Sequence, residues 1–148
     1  MSVKNQIAAF AAAATLACMS FAAFAEDHPY SEGVVVNVTR IRTMDGHFDE
    51  YMQWLDTGWK RSQELAKKAG YIVSYQVVAT EPRTPEEPDL LLIVTYKNWA
   101  ALDGALAKGD DITKQLGQTN DQANKEQADR GKIRTILGSE TVQVLDLK

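Results

Sequence analysis

His47 is the side chain of this chain best suited to move a proton. It stands in the run T-M-D-G-H-F-D-E, with Asp45 before it and Asp49 and Glu50 after it. An imidazole changes charge near neutral pH, so carboxylates within a turn of it can tune it as a proton acceptor or a metal ligand. A plainer explanation covers the same acids: in the first turn of a helix they complement the positive end of its dipole. A single histidine without a second ligand at fixed spacing makes a poor transition-metal site, so no metal is expected. Asn37 interrupts an apolar run, and a buried amide is costly unless it is hydrogen-bonded. It either faces a pocket or bonds its neighbours in a sheet. Trp54, Trp59 and Trp99, with Tyr51, Tyr75 and Tyr96, can line a cleft for a flat apolar ligand, or they can simply fill a core. Trp59 suits the core, and Trp54 suits a cleft wall.

These residues need elements to hold them. Gly33 to Arg42 is rich in β-branched residues and reads as a strand. Asp45 and Gly46 then open a helix running to about Ala69. Phe48, Met52, Leu55, Trp59, Ser62, Ala66 and Ala69 recur on one stripe of it, with Tyr51, Trp54 and Gly58 on its flanks. Lys67, Lys68 and Gly70 fit its end. Tyr71 to Thr80 and Leu90 to Tyr96 are the next strands, joined by a connection whose three prolines keep it out of the sheet. Asn98 caps a second helix, Trp99 to Ala107, with Trp99, Leu102 and Leu106 on one face, and Gly109 interrupts it. The polar stretch Gln118 to Lys132 reads as an exposed helix or a loop, and the helix is the expectation. Ile133 to Leu147 closes the chain as a fourth strand.

The order β-α-β-β-α-β is that of a ferredoxin-like α+β fold, with both helices on one face of a four-stranded antiparallel sheet. Val34, Val36 and Val38, with the Leu90 to Val94 run, supply more apolar surface than two helices on one face can hide, so a homodimer is expected. Residues 1–25 carry Lys4, an apolar stretch from Ile7 to Ala17 and the ending Ala23-Phe24-Ala25, the order of a cleavable signal peptide. The working chain is then residues 26–148, one domain acting in the periplasm or outside the cell. The single cysteine, Cys18, leaves with the signal unless it serves lipoprotein processing. The net charge of −4 becomes one unit more negative without Lys4, which disfavours nucleic acid or an anionic membrane as partner. G-x-S-x-G, a Gly-rich phosphate loop, C-x-x-C and H-E-x-x-H are all absent from the sequence. Glu140 and Asp146 lie on one strand about 20 Å apart, too far to act as a carboxylate pair.

V-N-V-T-R-I followed by D-G-H-F-D-E-Y, and L-I-V-T-Y-K-N-W-A-A-L further on, resemble the dimeric α+β barrel superfamily, and within it the antibiotic biosynthesis monooxygenase-like proteins. That superfamily includes cofactor-free quinol monooxygenases, haem-degrading oxygenases and stress-responsive barrels, so the resemblance implies a fold and leaves the chemistry to the site. The haem-degrading branch uses a histidine on the second helical segment, supported by a first-strand asparagine and a tryptophan. Here Gly117 falls where that histidine is expected, and Asn37 lies two residues from the expected strand position. Haem degradation is therefore not implied, and no cofactor is expected.

Together with the signal peptide, the resemblance implies an exported protein that binds a small apolar or aromatic molecule and, if an enzyme, oxidises a phenol or quinol without a cofactor. In that reading Asn37 and Trp99 orient the substrate, Trp54 walls the cleft with Tyr51 and Tyr75 near it, and His47 takes the proton. The alternative is a binding or structural module in which the same residues only complete the core and the dimer interface.

Overall fold

The structure is a computed structural model that describes residues 27–148. The expected signal peptide and Cys18 lie outside those residues. Strand β1 (Tyr30–Thr43) leads into α1 (Phe48–Trp54), a π-helical turn (Leu55–Trp59) and α2 (Lys60–Lys68). Strands β2 (Ser74–Ala79) and β3 (Leu90–Tyr96) follow, then a 3-10 turn (Trp99–Leu102), α3 (Ala105–Gln115), α4 (Asn120–Arg130) and β4 (Arg134–Leu147). The sheet order is β2-β3-β1-β4, with every neighbouring pair antiparallel. This is the ferredoxin-like α+β arrangement that the order of elements predicts.

Register assigns the faces. Ile41 sits opposite Leu90, Thr39 opposite Leu92 and Val77 opposite Leu92, so these side chains share one face with Asn37 and Val35. Tyr51 and Leu55 pack there with Ile41, Leu90 and Leu92 as the buried core, and Met52, Trp54, Trp59, Val77 and Ile133 close around it. On the opposite face Val38 pairs with Ile93 and Val36 with Val142, beside Leu91 and Val78. Val78 and Val142 are exposed there.

The long helix carries its core only in part on the stripe read from the sequence: Leu55 is buried and Met52 and Trp59 pack against the core. Tyr51, placed on the flank, is only 1% exposed, whereas Phe48, placed on the stripe, is 40% exposed. Phe48 is the first residue of α1, at the exposed entrance of the helix. Further on, the i→i+5 hydrogen bonding of the π turn takes up more residues per turn than an α-helix, so one stripe at α-helical spacing cannot run straight from Phe48 to Ala69. Gly58 lies in that turn, and a Cβ there would come 2.8 Å from Trp54 Nε1. The absent side chain is what lets the indole lie along the helix. The helix ends as a Schellman cap, with Tyr71 N–H donating to Ala66 O (2.9 Å) and Gly70 N–H to Lys67 O (3.0 Å).

The second helical region also departs from expectation. Asn98 does cap it, its side chain accepting from Ala101 N at 3.1 Å. The first piece is only the 3-10 turn, broken at Gly104, whose φ of 68° suits glycine. Gly109 is then carried inside α3. The expected face of Trp99, Leu102 and Leu106 is lost with the break, and Leu106 is 88% exposed. The polar stretch forms α4, opened by a capping box in which Thr119 Oγ1 accepts from Gln122 N and Gln122 reaches back to Thr119 N.

Candidate functional site

Between the first long helix and the pair α3 and α4 lies a cleft of about 480 Å³. Trp54, Gly58 and Trp59 line one wall, and Ile112 and Leu116 from the end of α3 line another. Helix α4 forms the third with Ala123, Glu126 and Arg130, residues three and four apart that share a helix face. This polar helix therefore buries no residue of its own and still walls the cleft. No helix among the described residues is long and apolar enough to cross a membrane.

Trp54 is the centre of the aromatic assembly. Its ring stacks on Tyr51 with centroids 5.5 Å apart, and the Arg130 guanidinium carbon lies 4.1 Å from the ring centre. A cation so placed is attracted by the ring quadrupole. Trp59 meets Tyr75 edge to face at 5.3 Å, and the Tyr75 hydroxyl donates to Glu64. That bond to Glu64, ahead of burial, holds the Tyr75 phenol above its ordinary pKa. Burial pushes the Tyr51 phenol up despite the nearby Arg134 and Arg130 cations, so Tyr51 is a neutral group at pH 7.

The structure thus brings Trp54, Tyr51 and, through Trp59, Tyr75 together. Asn37, Trp99 and His47 stand elsewhere. Asn37 Nδ2 donates to Thr141 Oγ1 (2.9 Å) and to Glu140 O (3.3 Å), and its Oδ1 accepts from Ser139 Oγ (3.2 Å) and Thr39 Oγ1 (3.3 Å). Two donors and two acceptor sites are an amide's whole capacity, and all are used within the sheet. Asn37→Ala is accordingly expected to lower stability by about 1–3 kcal/mol in urea unfolding while leaving ligand affinity unchanged. A variant of full stability with weakened binding would put the amide on the ligand instead. Trp99, 47% exposed, donates its indole N–H to Gln143 Oε1 at 3.0 Å on the β1–β4 side of the sheet. His47 Nδ1 lies 2.7 Å from Glu50 Oε2 at the exposed entrance of α1. Asn37 and Thr43 are about 20 Å apart along β1, and His47 lies beyond Thr43, so a shared pocket for these two is not formed within the chain. Among the described residues, no group of three His, Cys, Asp or Glu is placed to hold a metal.

Comparison with known proteins gives one distant likeness. No protein-family model and no curated protein matches the chain. It is similar to the crystal structure of HapK from Hahella chejuensis, with 14% sequence identity and a TM-score of 0.46, over 73% of this chain and 90% of that one. The fold assignment stands on strand order and register.

Sequence reasoning missed Arg130 and Arg134. Arg134 begins β4 opposite Thr43 and is 7% exposed. Its Nε and that of Arg130 are both buried without a hydrogen-bond partner. Burial first, and the neighbouring Arg134 charge second, lower the Arg130 pKa from its ordinary value. The signal available was an arginine at the head of an apolar strand, four residues after an arginine at the foot of a polar helix. A second, smaller cleft of about 260 Å³ opens beyond Ile112, lined by Tyr71, Ile72, Tyr96, Leu102 and Lys108. There the Tyr71 hydroxyl donates to Asp111 Oδ2 at 3.0 Å, which removes its polarity from the pocket.

Proposed function

We propose that the protein binds a small aromatic molecule in the cleft walled by Trp54 and Trp59. The observation that carries this is the cleft itself, about 480 Å³ with two indoles, Ile112 and Leu116 on its walls. Pockets for small molecules usually measure about 300–1,000 Å³ and combine apolar walls with a few polar groups. In the catalytic form of the proposal, the ligand is a phenol or quinol oxidised by dioxygen without a cofactor. One oxygen atom becomes a ring carbonyl, the other leaves as water, and the ring supplies the electrons. Of the four side chains that this form needs, Trp54 lines the cleft while Asn37, Trp99 and His47 do not. Binding is therefore the form that the geometry supports best.

The remaining parts of the proposal are export, by cleavage after Ala25, and a homodimer through the open sheet face. Val36, Val38, Leu91, Ile93, Val78 and Val142 share that face by register, and a second copy of the sheet would remove this apolar area from water. Native mass spectrometry of the protein purified from its host tests binding and assembly at once. A dimer with a bound small mass is expected. An empty dimer would sink the binding proposal, and a monomer would sink the dimer. In light scattering the dimer should persist on dilution to about micromolar protein, as an obligate apolar interface does. Dioxygen uptake with a quinol tests the catalytic form, and no uptake by ligand-competent protein would reject it.

A further inference from the structure

We propose that Arg130, backed by Arg134, holds an acidic group on the ligand, so that the occupant of the Trp54 cleft is an aromatic carboxylate. This rests on the reading of that cleft as a small-molecule site and names the ligand's chemistry.

The charges point to it. The protein is acidic, with a net charge of −4, yet the cleft carries Arg61 and Arg130 against Glu126 as its sole acid. Arg61 is exposed at the rim and is served by water. Arg130 is not. Its Nη1 lies 3.7 Å from Glu126 Oε2, a loose contact, and its Nη2 donates to the neutral Gln127 at 2.9 Å. Behind it stands Arg134, which is buried and makes no ion pair among the described residues.

Two guanidinium groups stand beside Glu126 and the Asp89 carboxylate, which accepts from Thr43 N–H across the strand pair from Arg134. Glu126 touches Arg130 only loosely and Asp89 makes no ion pair with Arg134, so the cations are weakly paired in a partly buried place, where such a charge is costly. Tyr51 beside them stays neutral for the reason given above. An anion entering the cleft would supply the close partner that Arg130 lacks.

The shape of the site selects the rest of the ligand. The Arg130 guanidinium carbon lies 4.1 Å from the Trp54 ring centre and both side chains line the cleft, so the cation is held at its aromatic wall. A carboxylate can accept a charge-assisted hydrogen bond from Nη1, which has only the loose Glu126 contact. A ring attached to that carboxylate then reaches the apolar walls, Trp59, Ile112 and Leu116.

The test compares two ligands of one size and opposite charge state, 4-hydroxybenzoate and 4-hydroxybenzamide, by calorimetric titration of the full chain at pH 7 and low salt. The benzoate is expected to bind at least about tenfold more tightly. In Arg130→Gln, checked for folding by thermal melting, the two affinities should fall within about twofold of each other, while Arg130→Lys keeps part of the preference because it keeps the charge. The Lys variant carries the comparison if the Gln variant does not fold: an ammonium lacks the planar guanidinium held on Trp54 and should then reduce the preference. Equal binding of the two ligands to the unmodified protein, or a preference untouched by both substitutions, overturns the carboxylate while leaving the cleft as a small-molecule site. Failure of both ligands to bind overturns that site and the carboxylate together.

Discussion

Tyr51→Ala is expected to cost the fold about 3–5 kcal/mol, the usual loss when a large buried ring is cut back and the space is only partly refilled. Tyr51 is the largest of the fully buried side chains. It contacts the core formed by Ile41, Leu55, Leu90 and Leu92 on one side and stacks on Trp54 on the other. Removing it opens the core and also takes the support from behind the cleft wall. Tyr51→Phe, which keeps the ring and removes only a hydroxyl beside Arg134, should cost about 0.5–1.5 kcal/mol. Phe48→Ala should cost about 1 kcal/mol or less, because Phe48 is already well exposed. Urea unfolding midpoints at constant slope would order the three. If Phe48→Ala proves the more damaging, Phe48 and not Tyr51 supports the core in α1.

That comparison marks where the sequence could be read and where it could not. Leu90 to Tyr96 was legible to the residue, because an apolar β-branched run bounded by Asp89 and Lys97 has no competing explanation. The outer strands were legible in place but not in extent: β2 begins at Ser74, three residues after Tyr71, since the Schellman cap of the preceding helix uses Tyr71 itself. A π turn leaves no local mark in composition, so the interruption of the first helix's stripe was invisible. Of two glycines, Gly104 and Gly109, only the backbone shows which one breaks the second helix.

For the candidate site, Trp54 was legible because it sits off a helical stripe, and it does wall the cleft. Arg130 was not. In a polar stretch an arginine reads as a solvated side chain, and only the packing of α4 against Trp54 makes it part of a cleft. His47 and Asn37 drew attention by type, and type alone does not tell whether a side chain's hydrogen bonds are already taken. For Asn37 they are, in the sheet.

Arg134→Met is expected to raise the stability of the ligand-free protein by about 1–3 kcal/mol, the reverse of what a buried substitution usually does. The guanidinium is taken from water on folding, and no carboxylate among the described residues pairs with it. It also lies near the like charge of Arg130. Methionine has a similar unbranched reach and fills irregular space without needing a partner, so the desolvation cost disappears while most of the packing remains. The gain should carry a functional loss: 4-hydroxybenzoate should raise the melting temperature of the unmodified protein more than that of Arg134→Met, since binding stabilises only as far as the ligand prefers the folded state. Stability given up at a binding site and recovered on substitution is the common trade between the two properties. Urea unfolding at low salt decides the sign. If Arg134→Met loses about 1 kcal/mol or more, the buried cation is compensated within the fold, and with that the physical reason for expecting an anion in the cleft is gone.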